Sequence, residues 1–159
     1  MQRELSTEVK IRFSDCDPIG HLNNVKYLEY MLNAREDHVE AGYGFTYEEY
    51  TRKTGCTWIA IQNEIAYLKE VRYNSKVLIT SKTIEISDRV SKVEILMKSL
   101  DEKTVHCVLW CTVIYFNMKT RLSESHPEET KELFRNFLVE LDQKDFQSRV
   151  TYLRQQNKK

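Results

Sequence analysis

The chain has 159 residues, the length of one domain, and its 24 basic and 24 acidic residues cancel. Hydrophobic residues make up 41% and charged residues 30% of the sequence, as in ordinary globular proteins. The balanced charge argues against a nucleic-acid-binding protein. No apolar run is long enough to cross a bilayer, so we also expect no membrane insertion.

The cysteines give no sign of a disulfide framework or a metal site. Cys16, Cys56, Cys107 and Cys111 form no C-x-x-C pair, and no histidine lies at metal-ligand spacing from them. The N-terminal residues contain no apolar segment of the kind that a secretory signal has. We therefore expect a reduced, cytoplasmic protein without a bound metal.

The first predicted elements are a strand, a polar loop and a long helix. Residues 8–13 alternate apolar and basic side chains, which indicates a strand with one buried face. From Asn24 to Ala41 the apolar spacing is helical, with Val25, Leu28 and Leu32 along one face and Gly42 as the expected end.

Four further strands are predicted after this helix, followed by a C-terminal helix. The last strand, 105–116, is apolar on both faces, so each face has to be covered. The long helix covers one face, and either the C-terminal helix or another subunit covers the other. Cys107 and Cys111, four residues apart, are expected to share a buried face. The strands are predicted at about 56–68, 77–86, 93–100 and 105–116.

The C-terminal region has its own pattern. Ser125 to Glu128 reads S-x-x-E, a capping box that predicts a helix start. Residues 143–159 are largely polar and are expected to form a peripheral helix or a polar tail. The predicted organisation is one domain over residues 1–142 with this appendage. The fold class is α+β, an antiparallel sheet wrapped against one long central helix.

The loop between the first strand and the long helix carries an unusual concentration of polar groups. Asp15, Asp17, His21, Asn23 and Asn24 lie within ten residues, around a proline and a glycine. Such residues also build ordinary turns. A loop held by a rigid scaffold is equally a common place for binding and catalytic groups.

The segment Asp15 to Tyr27, D-C-D-P-I-G-H-L-N-N-V-K-Y, together with this element order, resembles the hotdog-fold thioesterases. The likeness is greatest to the 4-hydroxybenzoyl-CoA and acyl-CoA thioesterase group, whose bacterial members carry D-x-D-x-x-G before the helix. Plant acyl-ACP thioesterases carry a similar D-x-D-x-N-x-H-x-N-N-V-K-Y. The resemblance implies a five-stranded sheet wrapped around the central helix and hydrolysis of an acyl-CoA or acyl-carrier-protein thioester.

By this resemblance Asp17 is the catalytic carboxylate, acting either as nucleophile or as general base for a water. The N–H groups at the helix N-terminus near Asn24 are expected to stabilise the oxyanion. Asp15 is expected to bind loop amides instead. The resemblance implies substrate contacts from His21 and Asn23, and the remaining expected substrate-binding residues are Asn24, Tyr27, Arg89, Ser91 and Lys92, the last three for the CoA phosphates.

No cofactor is expected, and the chain is predicted to form a homodimer or a dimer of dimers with shared sites. Two other functions stay open. A hydratase or dehydratase on the same fold would carry D-x-N-P-[LIV]-H, whereas here Asp17 replaces the asparagine and Gly20 displaces the histidine. A non-catalytic acyl-CoA-binding or sensing module is the second alternative.

Overall fold

The structure, a computed structural model, describes residues 2–159. An antiparallel sheet has one long helix on its inner face and a shorter helix on its outer face. The strands are β1 (Leu5–Lys10), β2 (Cys56–Tyr67), β3 (Lys76–Ile86), β4 (Val90–Ser99), β5 (Val105–Asn117) and the short β6 (Leu122–Ser123). The helices are α1 (Asn24–Tyr43), α2 (Tyr47–Thr54), α3 (Glu128–Asn136) and α4 (Phe146–Asn157). The predicted α+β class is confirmed.

The strand order across the sheet is β1-β3-β4-β5-β2, with β6 beside β5. All of these pairings are antiparallel. β2 therefore forms one edge, and its middle residues from Ile59 to Asn63 are exposed. The register shifts between Ala60 and Gln62, so Ile61 lies at a bulge and is 55% exposed. This edge presents backbone groups and apolar side chains that a further strand could cover.

The inner face of the sheet packs against α1. Tyr27, Met31 and Ala34 of α1 are buried against the strands, because residues three and four apart share a helix face. The sequence placed Val25 on the apolar face of this helix, and that prediction is wrong, since Val25 is 75% exposed. The strand side of the core includes Ile79, Ile95, Cys107, Leu109 and Cys111, so the shared buried face of the two cysteines is confirmed.

The outer face is covered by α4. Val150 and Leu153 of α4 are buried against Leu96, Val108 and Trp110 of the sheet. The helix predicted after Ser125 corresponds to α3, whose Phe134 packs against Tyr43 and Trp58 and not on this face. The outer face is covered by α4 instead, which lies in residues 143–159, the segment expected to form only a peripheral helix or a polar tail.

The predicted ends of the first strand and of α1 differ from the structure. The first strand ends at Lys10, and Phe13 is exposed in a 3₁₀ turn. α1 continues past Gly42 and ends at Tyr43, and it is capped by Gly44, whose φ of 82° is the left-handed conformation that glycine favours. Gly42 lies inside the helix against Leu5, where a Cβ would come within 2.7 Å of the leucine Cδ1.

The predicted capping box before α3 is wrong. The Ser125 hydroxyl donates to the carboxylate of Asp88 at 2.6 Å, and α3 begins after Pro127 without a side-chain cap. The serine therefore ties α3 to the β3–β4 turn. Within residues 2–159, no helix is long and apolar enough to span a membrane.

Candidate functional site

The loop between β1 and α1 is closed by hydrogen bonds at its base. The N–H of Asp17 donates to the carbonyl of His21 at 2.8 Å, and the N–H of Gly20 donates to the carbonyl of Asp17 at 3.0 Å. Gly20 has a φ of 84°, a backbone conformation that is unstrained only for glycine. The five residues from Asp17 to His21 therefore form a tight turn at the entrance of α1.

The two carboxylate oxygens of Asp17 have different surroundings. Oδ1 accepts the N–H groups of Ile19 and His21, each at 3.0 Å. Oδ2 accepts no hydrogen bond from the described part of the chain, and the side chain is half-buried. One oxygen thus fixes the orientation of the carboxylate, while the other is available to a ligand.

Asp15 has a different partner from the one that the sequence predicts. Its Oδ2 accepts a hydrogen bond of 2.6 Å from the hydroxyl of Tyr30, and its Oδ1 lies 3.9 Å from Nζ of Lys26. Burial and the hydrogen bond to Asp15 raise the pKa of Tyr30. The expectation that the Asp15 carboxylate binds loop amides is wrong, because Asp17 does so; Asp15 connects the loop to the second turn of α1.

The N-terminus of α1 faces outward without a side-chain cap. Asn23 is the N-cap residue, but its side chain accepts no hydrogen bond from the helix. Helix geometry leaves the N–H groups of Asn24 and Val25 without an intrahelical acceptor. Neither group donates to another atom of residues 2–159. The predicted set of available backbone donors is therefore present beside the Asp17 turn.

Asp17 and Asn24 border a cavity of about 290 Å³, here called the Asp17 cavity. Tyr27, almost fully buried, packs edge-on against Tyr67 with ring centroids 5.1 Å apart. Burial raises the pKa of Tyr27 to about 12, so its hydroxyl is neutral at physiological pH. The lining residues are Asp17, His21, Leu22, Asn24, Tyr27, Tyr67, Leu68, Lys69 and Glu70.

The structure therefore brings together four of the predicted site residues and adds one that sequence reasoning missed. Asp17, His21, Asn24 and Tyr27 share the Asp17 cavity, and Asn23 lies next to it at the helix cap. The added residue is Tyr67, whose hydroxyl donates to the carbonyl of Asn24 at 2.9 Å. Its position at the end of a predicted strand gave no signal, because the contact spans 43 residues of sequence.

The three residues expected to bind CoA phosphates are not brought together. Arg89, in the β3–β4 turn, donates to the carbonyl and the hydroxyl of Ser123 at 2.9 and 3.0 Å. Ser91 is buried and lines an interior cavity, whereas Lys92 faces the outer side with its Nζ 5.2 Å from the ring of Trp110. Neighbouring strand residues point to opposite faces, so Ser91 and Lys92 cannot meet one phosphate.

The interior cavity that Ser91 lines has a volume of about 360 Å³ and is here called the Arg35 cavity. It lies between the C-terminal half of α1 and strands β2, β4 and β5. Most of its lining is apolar, with exposed Asn33, Glu36 and Ala60 on its border. Among residues 2–159 no group of three or more His, Cys, Asp or Glu side chains is arranged to hold a metal ion.

The sequence profile of the thioesterase-like superfamily matches residues 11–134. The comparison with curated proteins gives no match.

Many solved structures share the fold. A probable thioesterase from Escherichia coli has a TM-score of 0.75 at 20% identity, covering 85% of this chain and 99% of its own. A DHNA-CoA thioesterase from Staphylococcus aureus has a TM-score of 0.74 at 18% identity, and the match covers 84% of this chain and 89% of that one. A hypothetical protein from Staphylococcus aureus, solved in complex with CoA, has a TM-score of 0.78 at 12% identity. That match covers 92% of this chain and 90% of the other. At these identities the likeness shows the hotdog fold alone.

Proposed function

Since the chain belongs to the thioesterase-like superfamily, whose profile matches residues 11–134, we propose that it hydrolyses acyl-CoA or acyl-carrier-protein thioesters. The products are a free acid and a thiol. The observation that carries this proposal is the carboxylate of Asp17, whose Oδ1 is held by two amides, whose Oδ2 has no hydrogen-bond partner within residues 2–159, and which lines a cavity beside the N-terminus of α1. The similarity to a DHNA-CoA thioesterase and to a CoA-bound protein supports the same substrate class.

Oδ2 of Asp17 starts the reaction in either of two ways. As a general base it takes a proton from a water, and the water oxygen attacks the thioester carbonyl. As a nucleophile it attacks the carbonyl itself and forms a mixed anhydride, which water then hydrolyses. In both routes the tetrahedral intermediate collapses with breakage of the C–S bond. A thiolate is a good leaving group, so no strong acid is required.

The oxyanion of that intermediate is stabilised by the N-terminus of α1. The N–H groups of Asn24 and Val25 are available, and the positive end of the helix dipole favours negative charge there. One such donor typically accounts for a hundred- to a thousand-fold in rate, roughly. His21, Asn23 and Tyr27 are assigned contacts with the substrate around this point, and Tyr67 joins them because it closes the same cavity.

We also propose that two copies of the chain complete the site by pairing their exposed β2 edges. Antiparallel pairing centred on Ile61 places the Tyr67 end of one β2 against the Cys56 end of the other. The Asp17 cavity lies at the first end and the Arg35 cavity opens towards the second. The acyl group attacked at one copy's Asp17 then extends towards the other copy's Arg35 cavity.

The same pairing gives the predicted phosphate-binding residues a consistent place. The last residue of β1, Lys10, pairs with the first residue of β3, Lys76, so the Asp17 loop leaves the sheet at the start of β3. The β3–β4 turn with Arg89 follows the other end of β3, so within one chain it lies at the opposite end of the sheet from the Asp17 loop. In the paired arrangement the turn of the second copy lies at the same end as Asp17. Arg89 is therefore assigned to the CoA phosphates, with Lys92 as a second cation.

Purified protein is tested against a panel of acyl-CoA and acyl-carrier-protein thioesters, with a thiol reagent reporting the released thiol. Hydrolysis of at least one thioester above the spontaneous rate is expected. Binding of several thioesters without hydrolysis of any would favour the non-catalytic sensing module instead. Hydration of an enoyl-CoA, read from the loss of its conjugated absorbance, would favour the hydratase alternative.

A further inference from the structure

Arg35 lies in the middle of α1 and is 7% exposed, and its side chain lines the Arg35 cavity. The surrounding wall is largely apolar and includes Val39, Trp58 and Val93. A positive charge in such surroundings is unfavourable unless an anion or a dense set of hydrogen bonds compensates it. The partners of this guanidinium therefore decide what the cavity can hold.

All hydrogen-bond partners of the Arg35 guanidinium are neutral hydroxyls. Nη1 donates to Ser81 at 3.0 Å, and Nη2 donates to Tyr43 at 3.1 Å and to Thr83 at 3.3 Å. The ring of Tyr43 adds a weak attraction, with its centroid 5.5 Å from Cζ. An arginine has five N–H donors, so two of them have no acceptor within residues 2–159.

No carboxylate of the described residues lies within 4.0 Å of the Arg35 guanidinium. Glu36 borders the same cavity, but it is exposed and makes no such contact. The other buried arginine differs, because both Nε and Nη2 of Arg149 lie 2.7 Å from the carboxylate of Glu94. Arg35 is thus the buried cation that the described chain leaves without a counter-charge.

The hydroxyl network behind Arg35 carries no negative charge either. Oγ of Ser81 lies 2.6 Å from Nδ1 of His38, whose Nε2 lies 2.7 Å from the hydroxyl of Thr7. Burial and the nearby charge of Arg35 lower the pKa of His38 to about 4. His38 is therefore neutral at physiological pH. It hydrogen-bonds to Ser81 and supplies no negative charge to the guanidinium.

We propose that Arg35 binds a carboxylate at the far end of the acyl group, so that the preferred substrates are thioesters of dicarboxylic acids. This inference rests on the proposed thioester hydrolysis and on the proposed pairing of two copies, in which Arg35 of one copy faces the acyl group held at Asp17 of the other. One buried cation matches one carboxylate, and a phosphate group would bring more charge than the cavity compensates. The apolar wall accommodates the methylene chain between the thioester and this carboxylate. Arg35 then determines specificity, and the reaction at Asp17 is unchanged.

The test compares pairs of CoA esters with equal chain length, one ending in a methyl group and the other in a carboxylate. Hydrolysis by the wild-type protein is measured over a series of lengths, together with the binding of analogues in which a CH₂ replaces the thioester sulfur. At the best length we expect kcat/KM for the carboxylated ester to be higher by about ten- to a hundred-fold, the usual range for a hydrogen bond to a charged group. The binding constants should show the same preference.

Arg35→Met should abolish or reverse this preference while the methyl-ended ester is still hydrolysed. Arg35→Lys, which keeps a cation, should retain part of it. Arg135→Gln is the matched control, because Arg135 is exposed on α3 and should leave the preference unchanged. Thermal unfolding of Arg35→Met is recorded as well, and a Tm at or above the wild-type value is expected, since a buried uncompensated charge is removed.

Three results would overturn the inference. They are equal rates and binding for both members of every pair, a preference that persists in Arg35→Met, and an equal loss on both esters accompanied by a large fall in Tm. If no thioester is hydrolysed, the proposed function fails. The carboxylate preference in analogue binding then still decides the role of Arg35 separately.

Discussion

Oδ1 of Asp17 lies 3.0 Å from the amide nitrogen of His21, four residues further along the chain. This hydrogen bond and the one from Ile19 fix the carboxylate within its own turn. The orientation of the proposed catalytic group is therefore set by local backbone, before any contact with substrate. Such fixed orientation is what proximity effects in catalysis require.

Asp17→Asn should lower kcat by about a hundred- to ten-thousand-fold, the usual range for loss of a general base. The amide oxygen of asparagine can still accept from Ile19 and His21, so the turn should keep its shape. Near-native Tm and circular dichroism would show that the loss is chemical. Full activity of this variant on a substrate that the wild type hydrolyses would contradict the proposed mechanism.

Tyr30→Phe should destabilise the loop, because the Tyr30 hydroxyl donates to Asp15 at 2.6 Å and accepts from the N–H of Arg12 at 3.1 Å. Loss of hydrogen bonds to a charged group costs about 1.5–3 kcal/mol in the free energy of unfolding, measured by urea denaturation. Tyr73→Phe is the control, since Tyr73 is half exposed and its hydroxyl makes no hydrogen bond within residues 2–159. Equal stability of the two variants would contradict the proposal that the hydrogen bonds of Tyr30 stabilise the loop.

Ile61→Lys should give a monomer and an inactive protein if the β2 edges pair. Ile61 is 55% exposed at the bulge of β2, and a lysine there blocks addition of another strand. Sedimentation equilibrium measures the mass, and thiol release measures the activity. Leu100→Lys, at an exposed leucine after β4, should change neither. A wild-type protein that is already monomeric and active would refute the shared site.

Arg149→Met should destabilise the protein by about 3–5 kcal/mol, because it leaves the buried carboxylate of Glu94 without its main partner. Urea denaturation checks the value, and replacing Glu94 by leucine in the same chain should recover most of it. Arg52→Met is the control, since the Arg52–Glu48 pair is exposed and should contribute under about 1 kcal/mol. Equal effects of the two single substitutions would exclude this role of the pair.

The same pair predicts a pH dependence of stability. Burial alone would raise the pKa of Glu94, but hydrogen bonds and charge from Arg149, with Lys82 and Trp110, lower it below the usual value. The stabilisation is therefore complete above the unfolded-state pKa of about 4.3 and is lost as the pH falls through the lower folded-state value. Urea midpoints should fall more steeply in this acid range for the wild type than for the double variant without the two charges.

Arg89→Ala should raise KM for CoA esters by up to about fivefold, since an exposed ion pair contributes about 0.2–1 kcal/mol. It should leave short pantetheine thioesters unaffected, because they lack the nucleotide phosphates. Steady-state kinetics on both substrate types make the comparison. An equal rise for both would assign Arg89 to the support of Ser123 and β6 instead.

The sequence by itself determined the order of strands and helices and the place of the polar loop. Those features depend on apolar spacing and on turn residues within about twenty positions, which are local properties of the chain. It also placed Asp17, His21 and Asn24 side by side, because they lie within one turn and one helix entrance. Their catalytic and binding roles stay predictions until the variants are measured.

Only the tertiary structure decided which groups face each other across the fold. It gave Asp15 the hydroxyl of Tyr30 as its partner, separated Ser91 from Lys92, and brought Tyr67 to Asn24 over 43 residues of sequence. It also left Arg35 among hydroxyls without a carboxylate. Such facts depend on strand register and on the packing of α1 against distant strands, which short-range sequence patterns do not encode.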